Sequence, residues 1–193
     1  MAVQEVDLAT KRRLGDAEQN LFVVMSNLAV TYQMLGRDEE TLRLKRDVYS
    51  GRLKLNGEED IKTHRTAYNY ANSLLTLKRF EEAKALLRKT IPVVRRVLGD
   101  NDGLTLRVRG VYAQALYFDA EATLDDLREA VTTLGEIERT ARRVLGGAHP
   151  LTGNICGSLR TARTVLHARE TPSSYHEGKS FEELRLEYLI RTN

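Results

Sequence analysis

The sequence predicts an all-α solenoid of antiparallel helix pairs, and three observations carry that expectation. The first is self-similarity at a fixed interval. Asn27 and Asn69, Arg46 and Arg88, and Thr63 and Thr105 each stand 42 residues apart, Gly15, Gly57 and Gly99 keep the same step, and Gly146 follows after 47. A unit of this length cannot bury its apolar face alone and stacks on its neighbours instead. The second is helical periodicity: Leu28, Tyr32 and Leu35 recur at three- and four-residue spacing, on one face of a helix. The third is the placing of small residues. Ala29, Ala71 and Ala113 keep the 42-residue step and sit where two helices must approach closely.

Two stretches, NLAVTYQMLGRDEETLRLKRDV at 27–48 and NYANSLLTLKRFEEAKALLRKT at 69–90, resemble the tetratricopeptide repeat. In the first copy the matching residues are Leu28, Ala29, Tyr32, Leu35, Gly36 and Arg37, with Thr41 where the family usually has Ala. In the second, Ala71, Leu74, Leu77 and Ala83 hold those places. The family's usual period is about 34 residues, and HEAT-type arrays run about 40–47. The long step, the RRVLG at 95–99 and 142–146, and His149-Pro150-Leu151-Thr152 are similar to the long repeats of kinesin light chains and related algal, fungal and bacterial proteins. The resemblance covers roughly residues 10 to 168 and implies a right-handed array of about three and a half repeats. Such repeats are reused on many unrelated proteins, so the resemblance speaks to fold more than to function.

In chain order, residues 1–16 read as the remnant of a preceding repeat, with a helix over 4–14, and 17–170 as the repeat array. The first helix A is expected over 17–35, facing inward through Leu21, Val24, Leu28, Tyr32 and Leu35 and stopped by Gly36. Its helix B spans 38–55, with Leu42, Val48 and Leu55 inward and Asp38, Glu39 and Glu40 at the positive end of the dipole. The second copy places helix A over 61–78 and helix B over 80–98. Pro92 lies inside that helix B, and Gly51 one position short of the equivalent place in the first, so a bend is expected near the third turn of each. The third helix A spans 102–118. Its turn is rewritten as Asp119-Ala-Glu-Ala-Thr-Leu, where five residues enter; Thr123 with Asp125 or Asp126 then caps a helix B over 124–145. A last helix A follows His149-Pro150 over 150–168, without a helix B. Thr171 to Lys179 is a linker by composition. Ser180-Phe-Glu-Glu183 is a capping box for a short helix over 181–191, whose Phe181, Leu184, Tyr188 and Leu189 are expected to cover the last repeat.

Composition excludes several function classes. The chain has 193 residues, 41% hydrophobic and 30% charged, with three Pro and no Trp, which is that of a soluble helical protein. Its net charge of +3 arises from 30 cations and 27 anions that alternate closely, a solvated surface rather than a nucleic-acid footprint. The paired arginines Arg12-Arg13, Arg95-Arg96 and Arg142-Arg143 each fall in the last turn of a helix B, where cations complement the dipole. No window approaches a membrane span, and the opening MAVQEVDLATKRRLG lacks the apolar core of a signal peptide. Cys156 stands alone, so a reducing compartment, the cytoplasm, is expected. The array also looks cut into at its start, as in a fragment of a longer protein.

No catalytic signature is present: no phosphate loop, no HExxH and no acids clustered around a histidine, so the chain is read as a non-enzyme without a cofactor. Cys156 and His149, seven residues apart, share a helical face and could pair as thiolate and base. The preferred reading places Cys156 in the buried apolar pattern of Ile155 and Leu159. His64, His167 and His176 lack partners at zinc-ligand spacing.

What remains is a binding surface. In the tetratricopeptide family helices A line the inner groove, and an Asn just before the Leu-Ala pair grips an extended peptide's backbone. Asn27 and Asn69 match that position; Val111 and Ser158 replace it in the later copies. A carboxamide offers both a donor and an acceptor to a peptide unit. Asn72 is expected on the same groove, with Ser26, Gln33, Tyr68, Gln114 and Tyr117 nearby. Arg65 and Arg107, also 42 apart, are either a basic stripe in that groove or solvated helix-start residues. The carboxylate clamp of chaperone-binding relatives is not kept, because Ser26 and Val30 stand where its first Lys and Asn would be. The expected function is a protein-interaction module that holds an extended, acidic peptide. The alternatives are a self-associating spacer, stacking through its ends, or a regulatory or targeting part of a larger enzyme.

Overall fold

A computed structural model describes residues 5–6 and 18–171. Seven longer helices follow one another: α1 Glu18–Met34, α2 Asp38–Asn56, α3 Ile61–Thr76, α4 Phe80–Leu98, α5 Gly103–Tyr117, α6 Leu124–Leu145 and α7 Pro150–Glu170. No strand occurs among the described residues. The chain is an all-α helical-repeat solenoid in which α1, α3, α5 and α7 are the helices A. Glu5 and Val6 are helical, where the remnant of a preceding repeat is expected. The capping helix expected over 181–191 lies outside the described residues.

Helix ends follow local chemistry that repeats with the sequence. Asp60 caps α3, accepting from the backbone N–H of Lys62 and Thr63, and Asp102 caps α5 in the same way through Leu104 and Thr105. At the equivalent place His149 caps α7, its Nδ1 accepting from the Leu151 N–H at 3.1 Å. Gly57, Gly99 and Gly146 end their helices at φ of 82°, 83° and 87°, a region that L side chains enter only at a cost. The turn after α1 uses Gly36 at φ 69°, but the matching turn after α3 puts Lys78 there, at φ 58°. Both turns close the same way, Arg37 N–H reaching Tyr32 C=O at 2.9 Å and Arg79 N–H reaching Leu74 C=O at 2.8 Å. Arg37–Glu40 and Arg79–Glu82 ion pairs, each 2.6 Å, follow.

The chain divides into two compact units between Glu82 and Ala83. In the first, α2 packs on both α1 and α3. Phe22, Met25, Leu28, Tyr32 and Val48 form its core, with Leu21, Val24 and Leu44 partly buried around them. The buried stripe of α1 thus keeps Leu28 and Tyr32 of the expected set, while Phe22 and Met25 are buried in place of the partly buried Leu21 and Val24. Leu35 lies past the helix end and is 55% exposed, and Leu55, in the last turn of α2, is 45% exposed, so neither faces inward. Helix α2 runs unbroken through Gly51. A Cβ there would stand 2.3 Å from the Phe22 ring, so the missing side chain is the seat of that ring.

In the second unit, α6 packs on both α5 and α7, and α5 touches α7. Leu106, Leu116, Tyr117, Leu127, Leu134 and Ile137 are fully buried. Tyr117, expected near the groove, is thus a core residue. Helix α4 does not stop before Pro92 but continues to Leu98, with the proline exposed. The rewritten turn has its own logic. Thr123 and Asp126 form a reciprocal capping box at the start of α6. The Thr123 hydroxyl holds the Asp126 carboxyl below its ordinary range.

Candidate functional site

In the first unit, α1 and α3 bury the same register of residues and turn the same register outward. On α1 the outward row is Val23, Asn27, Val30 and Met34; on α3, at steps of 42, it is Arg65, Asn69, Asn72 and Thr76. Asn27, Arg65 and Asn69 are exposed, and their side chains make no hydrogen bond or ion pair among the described residues. Asn72 is half-buried, its amide donating to the Tyr68 carbonyl at 2.9 Å, which leaves its side-chain oxygen for other use. Tyr68 is half-buried; Ser26 turns its hydroxyl onto the Phe22 carbonyl of its own helix at 2.7 Å. Gln33 accepts from Lys45 at 2.9 Å.

The second unit differs. Arg107 is exposed on α5, without a partner among the described residues. Val111 and Ser158, at the place of the asparagines, are both buried. The Gln114 amide donates to the Ser158 hydroxyl at 3.2 Å, so at least one of its donors is spent on joining α5 to α7. The row that is open on α1 and α3 is covered here.

The other candidate chemistry resolves into structure. His149 is a helix cap, not a base for a thiol. Cys156 is half-buried rather than sunk among Ile155 and Leu159. Its sulfur lies 3.3 Å from the Arg142 guanidinium and 3.5 Å from the Glu138 carboxylate. Arg142 holds that carboxylate below its ordinary range. His64 is buried where the other copies carry Phe22 and Leu106, and its Nε2 has no hydrogen-bond partner. Burial pushes its pKa down, against the opposing pull of Asp60 and Glu58. No three His, Cys, Asp or Glu among the described residues come together as a metal site.

Two features escaped the sequence reading. Lys84, 4% exposed, meets Asp119 at 3.0 Å, so the rewritten turn supplies a buried counter-ion. Arg88 donates to the Tyr112 hydroxyl at 3.2 Å, and that hydroxyl donates to Glu129 at 2.9 Å, which ties α4, α5 and α6 together. Neither pairing follows the repeat step, so no spacing announces it. The exposed Val23, Val30 and Met34 could have been found by stepping back 42 from Arg65, Asn72 and Thr76.

Antiparallel helix pairs recurring at a fixed step define a helical-repeat protein, and comparison with known proteins names the repeat. Residues 23–61 and 65–102 match the model of the tetratricopeptide repeat. These two stretches carry tetratricopeptide repeats, in a helical-repeat fold similar to that of kinesin-light-chain TPR-like repeats. Its fold is similar to that of a Podosopora anserina protein of nearly identical kinesin-light-chain TPR-like repeats, both in its own form and as a variant with one glutamine replaced by methionine. The variant gives a TM-score of 0.73 at 18% identity over 98% of this chain and 83% of that one. The other form gives 0.70 at 18% over 100% and 86%. BtubC from P. vanneervenii is similar with a TM-score of 0.56 at 16% identity, over 93% of this chain and 75% of that one. In sequence, the chain is 29% identical over 94 residues to the clustered mitochondria protein homolog of Candida albicans, which is 49% of this chain and 7% of that protein.

Proposed function

We propose that the protein is an interaction module that holds an extended, acidic peptide segment of another protein along the outward row of its helices A. The observation that carries this reading is the pair Asn27 and Asn69: two carboxamides 42 residues apart, both exposed and both without a hydrogen-bond partner among the described residues. A surface polar group needs no such repetition for stability, whereas two donor–acceptor groups at one repeat step suit the periodic backbone of a peptide. The acidic character follows from α3, which carries Lys62 and Arg65 and no carboxylate. Arg107 is a separate exposed cation on α5, another helix without carboxylates. Tyr68, Asn72 and Ser26 flank the row, and Gln114 is a contributor only through what its bond to Ser158 leaves over. The lone cysteine, half-buried and without a second cysteine to meet, fits a cytoplasmic setting.

The test is fluorescence anisotropy of acidic extended peptides with the native chain and with variants at Arg65, Arg107 and Asn69. Arg65→Glu and Arg107→Glu should remove most of the binding and make what remains less sensitive to salt, because screened attraction supplies much of the encounter. Asn69→Ala should weaken binding by roughly 1–3 kcal/mol, the cost of an unpaired peptide group, with helicity unchanged. Binding that ignores these changes and is lost by substitutions on helices B would place the working surface on the opposite side. A second reading, a self-associating spacer, draws on the exposed Val23, Val30, Met34 and Leu35 of the first unit. A mass that rises with concentration, and falls back for Met34→Glu, would select it.

A further inference from the structure

Helix α2 carries a polar stripe where its counterparts are largely apolar. Lys45, Tyr49, Arg52 and Asn56 follow one another at steps of four, three and four, which places them on one face of the helix. Stepping 42 onward, α4 holds Leu87, Ile91, Val94 and Leu98; 47 further on, α6 holds Leu134, Glu138, Ala141 and Leu145. Leu87, Val94, Leu134 and Ala141 are fully buried. On α2 the same face is still turned inward, with Arg52 7% exposed and Lys45, Tyr49 and Asn56 half-buried. Two cations and a carboxamide thus stand in a packing position, and groups of that kind destabilise a fold unless something answers them.

The described residues leave them unanswered. The Arg52 guanidinium lies over the Phe22 ring, 5.4 Å from its centroid, but its Nη1 is buried without a hydrogen-bond partner. Lys45 donates to the neutral Oε1 of Gln33 at 2.9 Å and has no ion pair among the described residues. Asp38, two turns before Lys45 on the same face, acts on it only through space, against the burial that pushes the lysine's pKa down. One turn beyond Arg52, where side chains are neighbours, the Oδ1 of Asn56 is also buried and receives no hydrogen bond. Helix α3 packs along α2, its Thr63 hydroxyl donating to the Arg52 carbonyl at 3.4 Å. The next residue, His64, carries a third orphaned atom, Nε2.

We propose that this stripe of α2 binds inorganic phosphate, held by Arg52 and Lys45 and completed by Asn56. Guanidinium and ammonium only donate, and they match the acceptor oxygens and the negative charge of the ion. The Asn56 oxygen only accepts, so the ligand must also bring a donor. Inorganic phosphate at neutral pH keeps an O–H; sulfate and simple carboxylates do not. The burial of Nη1 and Oδ1 restricts the occupant to a small ion, which enters past the half-buried Lys45 and Tyr49. This site is separate from the outward row of Asn27, Arg65 and Asn69.

The test is calorimetric titration and thermal melting of the whole chain in sodium phosphate, sulfate and chloride of equal ionic strength. Saturable binding of phosphate is expected, with the melting midpoint raised by roughly 3 °C or more at about 20 mM. Sulfate and chloride should give neither. Lys45→Leu with Arg52→Val gives α2 the residues that α4 carries; this variant should melt no lower in chloride and should lose the phosphate shift. Asn56→Leu should reduce the phosphate response to the level of sulfate, whereas Arg65→Glu should leave it intact, which keeps this test apart from that of the peptide row. Sulfate binding as well as phosphate would overturn the proposal, and so would a phosphate shift that survives in the double variant. A double variant that melts lower in chloride would assign the two cations a structural role instead. Absence of heat and of any shift with the native chain would leave ordered water as the partner of these atoms and refute the site, even if the double variant failed to fold.

Discussion

Asp119→Ala tests whether the rewritten turn is held by its buried ion pair. Lys84 and Asp119 have side-chain exposures of 5% and 13% and meet at 3.0 Å. Removing the carboxylate leaves an ammonium in a place where water cannot solvate it, and losing one member of a buried pair costs about 3–5 kcal/mol. Asp126 is close enough to feel Lys84 and would take up part of the charge, which sets the expectation at the lower end, about 3 kcal/mol. With a urea slope near ~2 kcal/mol/M, the midpoint should fall by about 1.5 M. The first copy supplies the control, since Leu42 is buried at the place of Lys84. Lys84→Leu combined with Asp119→Ala should recover most of the loss, because both charges then leave together. Urea melts of the four variants give the coupling. A loss under about 1 kcal/mol for Asp119→Ala, as for a surface pair, would refute the reasoning, as would a double variant no better than the single one.

Gly51→Ala should destabilise the first unit by about 1–3 kcal/mol, because the added methyl overlaps the Phe22 ring; Phe22→Leu in the same chain should relieve part of it, read by thermal melts. Lys78→Gly should raise the melting temperature, releasing a positive φ that costs a non-glycine residue about 1 kcal/mol. His64 makes stability depend on pH. Its folded pKa lies below the ordinary 6.5 because burial disfavours the imidazolium. The unfolded chain thus binds more protons below that pH, and stability, full above about 6.5, should fall as the pH drops toward the folded value. Urea midpoints at pH 7.5 and 5.5 should differ less for His64→Leu than for the native chain, and an unchanged pH response would show that other groups set it.

The sequence alone determined the repeat, its step and the ends of its helices, because each rests on local chemistry. Asp60, Asp102, Thr123 and His149 sit just before helix starts, Gly57, Gly99 and Gly146 at their ends, and apolar periodicity fills the spans between. Caps and positive φ act within a few residues, so they can be read along the chain. Which face is buried took the tertiary structure. At the start of α1 the core takes Phe22 and Met25 rather than Leu21 and Val24, and Phe22 seats against Gly51, a contact made 29 positions away that no local pattern encodes. The same holds for the candidate surfaces. Asn27 and Asn69 could be singled out by their spacing, but that Gln114 is drawn into a bond with Ser158 depends on α7 lying beside α5. Lys84 reads as a surface lysine until the turn that carries Asp119 folds over it. Contacts between helices are set by packing geometry and side-chain volume across the whole unit, and those are properties of the folded chain rather than of any one stretch of it.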